Sequence, residues 1–223
     1  MTVQDLAGIG MTSERTRERM VRQLEQLGIA DPRVLEAMRR VPRHIFLDEA
    51  LAHRAYENTA LPIGHSARPS PSPTSVALLA QLVVAEPRRR VLEVGTGSGY
   101  QAAVLAQLVE RVYTVERIKP LLRKARERFR RLGLRNVVAA HLDGVCGWPE
   151  YAPYDAIVVT AAARQVPVEL LEQLAPDGVL VIPVGDASRQ ELRLVRRRGE
   201  TRRFAETVVA AVRFVPLVEG STS

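Results

Sequence analysis

One cysteine, one tryptophan and few aromatic residues of any kind stand in a chain of 223 residues, and each scarcity closes off a class of protein. Cys146 alone forms no intramolecular disulfide and has no companion at metal-ligand spacing, which argues for a reducing compartment and against a metal site. Aromatic residues make up 4% of the chain, too few for the stacking platforms on which single-stranded nucleic acids lie. No run comes near the roughly 20 apolar residues of a membrane span. The first ten residues lack the basic-then-apolar order of a secretory signal. The expectation is a cytoplasmic monomer with no membrane partner.

What is present suits one α/β domain: the length supports a full core but not two independent ones. The net charge of +7 raises the question of a nucleic-acid partner, since basic patches bind phosphate through counterion release. The charge, however, sits in clusters at 88–90, 126–131 and 196–198, interleaved with Glu127 and Glu200, at predicted helix and strand ends. That distribution predicts solvated faces and no nucleic-acid groove.

Met20, Val21, Leu24 and Leu27 share one face of a predicted helix that Gly28 stops. Asp31-Pro32 then reads as an N-cap followed by proline at the first helical position of a second helix, running through Leu35 and Met38 to Pro42. Residues 58–73 carry Pro62, Gly64, Pro69, Pro71 and Pro73, which predicts an extended, stiffened loop. From Arg90 onward, apolar runs at 91–94, 112–115, 137–140, 156–160 and 179–184 alternate with amphipathic stretches, the grammar of five parallel strands with intervening helices. The segments 189–198 and 204–215 alternate apolar and polar positions around Gly199 and predict an antiparallel C-terminal strand pair at one sheet edge. The whole is an α/β, doubly wound, Rossmann-like sheet with N-terminal helices. The expected parts are an extension with helices (1–57), a Pro/Ser-rich acceptor-side loop (58–75), the core (76–218) and a tail (219–223).

Strand 91–94 runs directly into Gly95-Thr96-Gly97-Ser98-Gly99 and then a helix, the place where doubly wound sheets bind nucleotides. The Gly-x-Gly-x-Gly spacing differs from the Gly-x-Gly-x-x-Gly of dinucleotide enzymes, which disfavours a pyrophosphate ligand. Glu93 is expected to direct its carboxylate into the pocket, where it would neutralise a cationic group and repel phosphate. Glu116, ending the next strand, occupies the position from which an acid accepts hydrogen bonds from ribose hydroxyls. Asp143-Gly144 is placed to receive an adenine edge, or Asp143 serves as an N-cap. A ribose with a cationic amino-acid tail describes S-adenosyl-L-methionine, and the sheet is then that of a class I methyltransferase.

Beyond this loop, the strings Val91-Leu-Glu-Val-Gly-Thr-Gly-Ser-Gly-Tyr-Gln101, Val115-Glu-Arg-Ile118 and Tyr154-Asp-Ala-Ile-Val-Val-Thr-Ala-Ala162 resemble bacterial protein-L-isoaspartate O-methyltransferases. So do Val41-Pro-Arg-His-Ile-Phe46, Ala60-Leu-Pro-Ile-Gly-His65, Leu180-Val-Ile-Pro-Val-Gly185 and Val212-Arg-Phe-Val-Pro-Leu217, extending the similarity over roughly residues 12–218. The resemblance implies methyl transfer to the free carboxylate of isoaspartyl residues in damaged proteins and peptides. It also implies an active-site serine after the Gly64-His65 pair, where the family carries Thr-Ile-Ser-Gln-Pro. This chain instead reads Ser66-Ala-Arg-Pro-Ser-Pro-Ser-Pro-Thr-Ser75. Counting forward from His65 selects Ser70, whereas counting backward from the helix at Val76 lands on Pro71 and implies one inserted residue, so Ser70 is the expected serine and Ser72 the alternative; Arg68 could pair with an acceptor carboxylate or belong to a solvated loop.

Carboxylates are ionised at neutral pH and need no general base to attack a sulfonium methyl, so the lack of a catalytic dyad is expected. Residues 58–75, Thr160, Ala161 and residues 215–217 are expected to shape the acceptor pocket, with Thr160 also facing the cofactor. Two other readings stand beside this one. A nucleic-acid methyltransferase would need aromatic stacking after base flipping, but Thr160-Ala-Ala-Ala163 supplies none. A cofactor-binding homologue with lost or redirected activity would follow from the altered serine loop. His44, His53, His65 and His141 share no metal spacing and are expected to cap or pack, while Trp148 either covers an adenine or packs at the core edge.

Overall fold

The computed structural model describes residues 8–64, 68–220 and 222. Helix α1 (Glu14–Gln26) buries Met20, Val21 and Leu24, as the periodicity predicts. Leu27 does not join them and is 52% exposed. It is the C-cap residue; Gly28, at φ +93, then turns the chain so that Ile29 takes the buried place. This is the usual helix stop, a glycine in the left-handed region followed by an apolar residue folding back. Helix α2 (Pro32–Arg40) starts as expected: the Asp31 carboxylate accepts from Arg33 N at 2.9 Å, and Pro32 opens the first turn.

The predicted loop at 58–73 contains a two-stranded hairpin, β1 (Leu61–Ile63) and β2 (Arg68–Ser70), with Leu61 opposite Ser70 and Pro62 opposite Pro69. Proline is tolerated because each strand has a free edge and needs no inner ladder donor there. Helix α3 (Pro73–Val83) follows, packed into the core through Val76, Ala77, Leu79, Ala80 and Val83.

The main sheet runs β5-β4-β3-β6-β7-β8-β9, formed by β3 (Arg90–Val94), β4 (Arg111–Glu116), β5 (Val137–His141), β6 (Tyr154–Val159), β7 (Leu174–Gly185), β8 (Gln190–Arg197) and β9 (Phe204–Ala211). Strands β3 to β7 are parallel, and β8 pairs antiparallel with both β7 and β9. After β5 the chain returns to the other side of β3, so the carboxyl ends of β3 and β6 open a crevice at the switch point. Helices α4 (Tyr100–Leu105), α5 (Lys119–Arg131) and α6 (Val168–Glu172) connect the strands. The last helix is shorter than the 167–174 expected, because Leu174 already pairs with Tyr154 as the first residue of β7.

Alternation along the strands divides the core. Val91, Val112, Ala156 and Val158 face the layer that includes α3 and α4, while Leu92, Val94, Tyr113, Val115, Ile157 and Val159 face the other. Trp148 lies in that second layer, 6.0 Å from Tyr113 and 4.8 Å from Tyr151 between ring centroids, which makes it a packing residue. No described helix is long and apolar enough to cross a membrane, and among the described residues no group of three or more His, Cys, Asp and Glu could hold a metal ion.

Candidate cofactor and acceptor site

The turn after β3 is held by three neighbours. Gly95 N and Thr96 N both donate to Val115 O, at 2.9 and 3.1 Å, so the loop is stitched to the end of β4. Thr160 Oγ1 donates to Gly95 O at 2.7 Å from the β6 side, and a Cβ on Gly95 would fall 2.3 Å from that hydroxyl. The loop's third anchor is Glu116, whose Oε2 accepts from Gly97 N at 2.8 Å and whose Oε1 accepts from Ile118 N at 2.9 Å. Both bonds fix the carboxylate in the wall of a cavity while leaving lone pairs for a ligand.

That cavity is lined at the switch point by Val94, Gly95, Thr96, Gly97, Ser98, Val115, Glu116, Arg117 and Gly144. Ile63, Pro69, Ser70, Pro71 and Val76 line the same space, together with Thr160, Ala161 and Val215. The 215–217 segment is pinned there by Ala162 N donating to Val215 O and Leu217 N donating to Ala162 O, each at 2.7 Å. One space thus brings together Ser70, Gly95, Thr96, Gly97, Ser98, Glu116, Gly144 and Thr160.

Four expected site residues lie outside the cavity lining. Glu93 points the other way: it pairs with Thr114 in the sheet register, is fully buried, and accepts from Thr114 Oγ1 at 2.5 Å. Thr114 Oγ1 in turn lies 2.6 Å from Thr96 Oγ1, so Glu93 acts on the loop through two hydroxyls. Burial, reinforced by Glu116 and opposed by the Thr114 hydrogen bond, pushes its carboxyl up to about 8. A carboxyl that holds its proton at neutral pH does not neutralise a cation. Gly99 is a packing glycine, where a Cβ would stand 2.8 Å from the Phe129 ring. Asp143 caps the short turn at 144–146 by accepting from Val145 N at 3.0 Å, and its second oxygen accepts from Gly220 N at 2.6 Å. Ser72 is the N-cap of α3, accepting from Ser75 N at 3.3 Å.

His65, Ser66 and Ala67 lie outside the described residues, as does the side chain of Arg68. His44 Nδ1 is 2.8 Å from the Tyr56 hydroxyl, and His141 Nε2 is 3.0 Å from Arg117 O. Gln101, Leu121, Arg117 and Val218 line the cavity without having been anticipated. Gln101 alone carried a signal, as the one polar residue in the fully buried run of α4.

The residues fit S-adenosylmethionine. Glu116 offers acceptors suited to a ribose diol, and the glycine loop admits backbone close to a ligand. Fold and site together define a class I S-adenosylmethionine-dependent methyltransferase.

The comparisons narrow this. The sequence profile of the protein-L-isoaspartate(D-aspartate) O-methyltransferase family matches residues 15–222. The protein-L-isoaspartate O-methyltransferase of Halorhodospira halophila is 58% identical over 222 residues, covering 99% of both chains, and that of Cellvibrio japonicus is 54% identical over 223 residues with the same coverage. A solved protein-L-isoaspartate O-methyltransferase superposes with a TM-score of 0.79 at 30% identity, covering 90% of this chain and 65% of that one. A Plasmodium falciparum protein described as a putative protein-L-isoaspartate O-methyltransferase, solved with S-adenosyl-L-homocysteine, gives 0.78 at 26% identity over 91% of this chain and 98% of that one. The chain belongs to the protein-L-isoaspartate O-methyltransferase family.

Proposed function

We propose that this protein transfers a methyl group from S-adenosylmethionine to the free carboxylate of L-isoaspartyl residues in damaged proteins and peptides, the step that initiates their repair. The observation that carries the reading is the single cavity joining the glycine loop and Glu116 to Ser70 and Thr160. The cofactor, when bound, supplies an electrophilic methyl group. Gly95, Thr96, Gly97, Ser98, Gly144 and Thr160 are assigned to holding it, with Glu116 receiving the ribose hydroxyls.

Ser70 is assigned to the acceptor, because it is 2% exposed and lines the cavity, whereas Ser72 is engaged in a helix cap. The residues need not abstract a proton: an acceptor carboxylate is already ionised at neutral pH. Their work is alignment and the exclusion of water, for which Ile63, Val76, Val94 and Leu217 supply an apolar wall. Segment 58–75 serves as the acceptor side and 76–218 as the cofactor-binding core of one domain.

The same reading has the protein act as a cytoplasmic monomer with no nucleic-acid or membrane partner. Pairing of arginines with carboxylates, as Arg39 with Glu18 and Glu36, and Arg193 with Glu191 and Glu206, supports its nucleic-acid part by occupying those guanidinium groups.

The test is methyl transfer to a synthetic isoaspartyl peptide beside its aspartyl twin, with cofactor binding measured on the same preparation. Selective methylation of the isoaspartyl peptide is expected. Cofactor binding without transfer would instead identify a homologue whose activity is lost or redirected.

A further inference from the structure

Gln101 is 4% exposed, lines the cavity, and leaves both its Oε1 and its Nε2 without a hydrogen-bond partner. A buried amide with neither atom satisfied has given up its hydration without replacement, and such groups in folded proteins usually mark a missing partner. Gln101 lies on α4, which packs against α3, and α3 contributes Val76 to the cavity that Ser70 also lines. Among the described residues, the cavity's other polar side chains besides Ser70 are Thr96, Ser98, Glu116, Arg117 and Thr160, and each already has a hydrogen-bond partner within the protein. One serine hydroxyl cannot satisfy a carboxylate that presents about four lone-pair positions.

We propose that the Gln101 carboxamide contacts the acceptor and determines its selectivity for isoaspartate, Nε2–H donating to the acceptor carboxylate and Oε1 accepting the backbone N–H beside it. The inference rests on the isoaspartyl reading above. Its chemical basis is that the free carboxylate of an isoaspartyl residue sits on the same carbon as the chain's N–H. A planar carboxamide, donor beside acceptor, matches that pair. In a normal aspartyl residue the free carboxylate is one methylene further away, and the pair is broken. A neutral donor also suits the chemistry better than an arginine would, because a cation bound to the carboxylate stabilises the nucleophile more than a transition state in which its charge is fading.

The experiment compares the wild type with Gln101→Leu and Gln101→Met, both apolar and close in volume, so that one remains available if the other folds poorly. Three quantities are read: steady-state kinetics on the isoaspartyl and aspartyl peptides, the isoaspartyl peptide's Kd for protein loaded with S-adenosylhomocysteine, and the Kd of S-adenosylhomocysteine itself. The expected result is a peptide Kd and KM raised by about tenfold or more, the scale of one lost buried pairing, with the S-adenosylhomocysteine Kd held within about twofold. Gln101→Glu is expected to be worse still through charge repulsion. An unchanged peptide Kd and selectivity would overturn the proposal, as would a loss confined to S-adenosylhomocysteine binding. A wild type that transfers nothing to the isoaspartyl peptide would overturn the functional reading and this inference together, an outcome distinct from a wild type that turns over and variants that match it.

Discussion

The Arg43 guanidinium donates to the Pro71 carbonyl at 2.9 Å, tying a fully buried cation to the residue immediately after Ser70. The same group donates to Ala55 O at 2.7 Å and Thr59 O at 3.1 Å, and lies 5.9 Å from the centre of the Tyr100 ring. Both flanks of the β1–β2 hairpin are thereby fastened to the start of α4. Burial lowers the pKa of Arg43, yet both terminal nitrogens of its fork donate to backbone carbonyls, while Nε has no partner. Arg43→Leu is expected to cost about 3 kcal/mol or more, read as a lower urea midpoint at constant slope. Arg43→Lys should fall between, since an ammonium keeps the charge but cannot span the same carbonyls. An unaltered midpoint for Arg43→Leu would contradict the assignment.

The two candidate serines separate by what their loss does. Ser72→Ala removes the cap of α3 and is expected to lower stability by about 1 kcal/mol, with turnover on the isoaspartyl peptide preserved. Ser70→Ala touches the cavity and no cap; its stability should stay within about 0.5 kcal/mol of wild type while kcat/KM falls by about tenfold or more. Denaturation and peptide kinetics on both variants decide it, and a Ser70→Ala enzyme at full activity would remove that hydroxyl from the mechanism.

The glycine loop was legible in the sequence because a strand, a tight turn and a helix in direct succession leave few conformations open. Gly95, Gly97 and Gly99 all adopt positive φ there. Glu93 was legible too, but only through period-two alternation: it shares a face with Val91, beneath α4, whereas its closeness to the loop in sequence suggested the cavity. The hairpin at 61–70 was hidden because proline, the strongest loop signal in that stretch, occupies facing positions of a free-edged ladder. Gln101 escaped because an amide near a helix start reads as surface until the helix is seen to be buried throughout.

Gly97 and Gly99 should respond differently to the same added methyl group. At Gly97, φ is +52 and the nearest atom to a new Cβ is Ile63 Cδ1 at 3.5 Å, inside the cavity lining. Gly97→Ala is therefore expected to cost about 1 kcal/mol of backbone strain and chiefly to weaken S-adenosylhomocysteine binding. At Gly99, φ is +90 and the Cβ would lie 2.8 Å from Phe129 and 3.3 Å from Ala125. Gly99→Ala adds a steric clash to the strain and should destabilise by about 2 kcal/mol or more. Equal stability losses in the two variants would argue against this division between ligand-facing and packing glycines.

Glu93 makes stability depend on pH in the direction opposite to most carboxylates. Its carboxyl is raised from an ordinary value of 4.5 to about 8, chiefly because burial penalises the charge. Between those values the folded protein keeps a proton that the unfolded chain has released, so stability from this group is full in acid and declines as pH rises toward 8, levelling off above it. Glu93→Gln mimics the protonated group and preserves an acceptor for the Thr114 hydroxyl, but it cannot ionise. Groups common to both proteins cancel in their difference. The variant is accordingly expected to match the wild type at about pH 5 and to exceed it by roughly a few kcal/mol at about pH 9, a gap measurable as diverging urea midpoints. A difference that stays constant, or that narrows with rising pH, would show that Glu93 is charged in the folded protein and that the Glu93–Thr114–Thr96 chain supports the glycine loop as an anion.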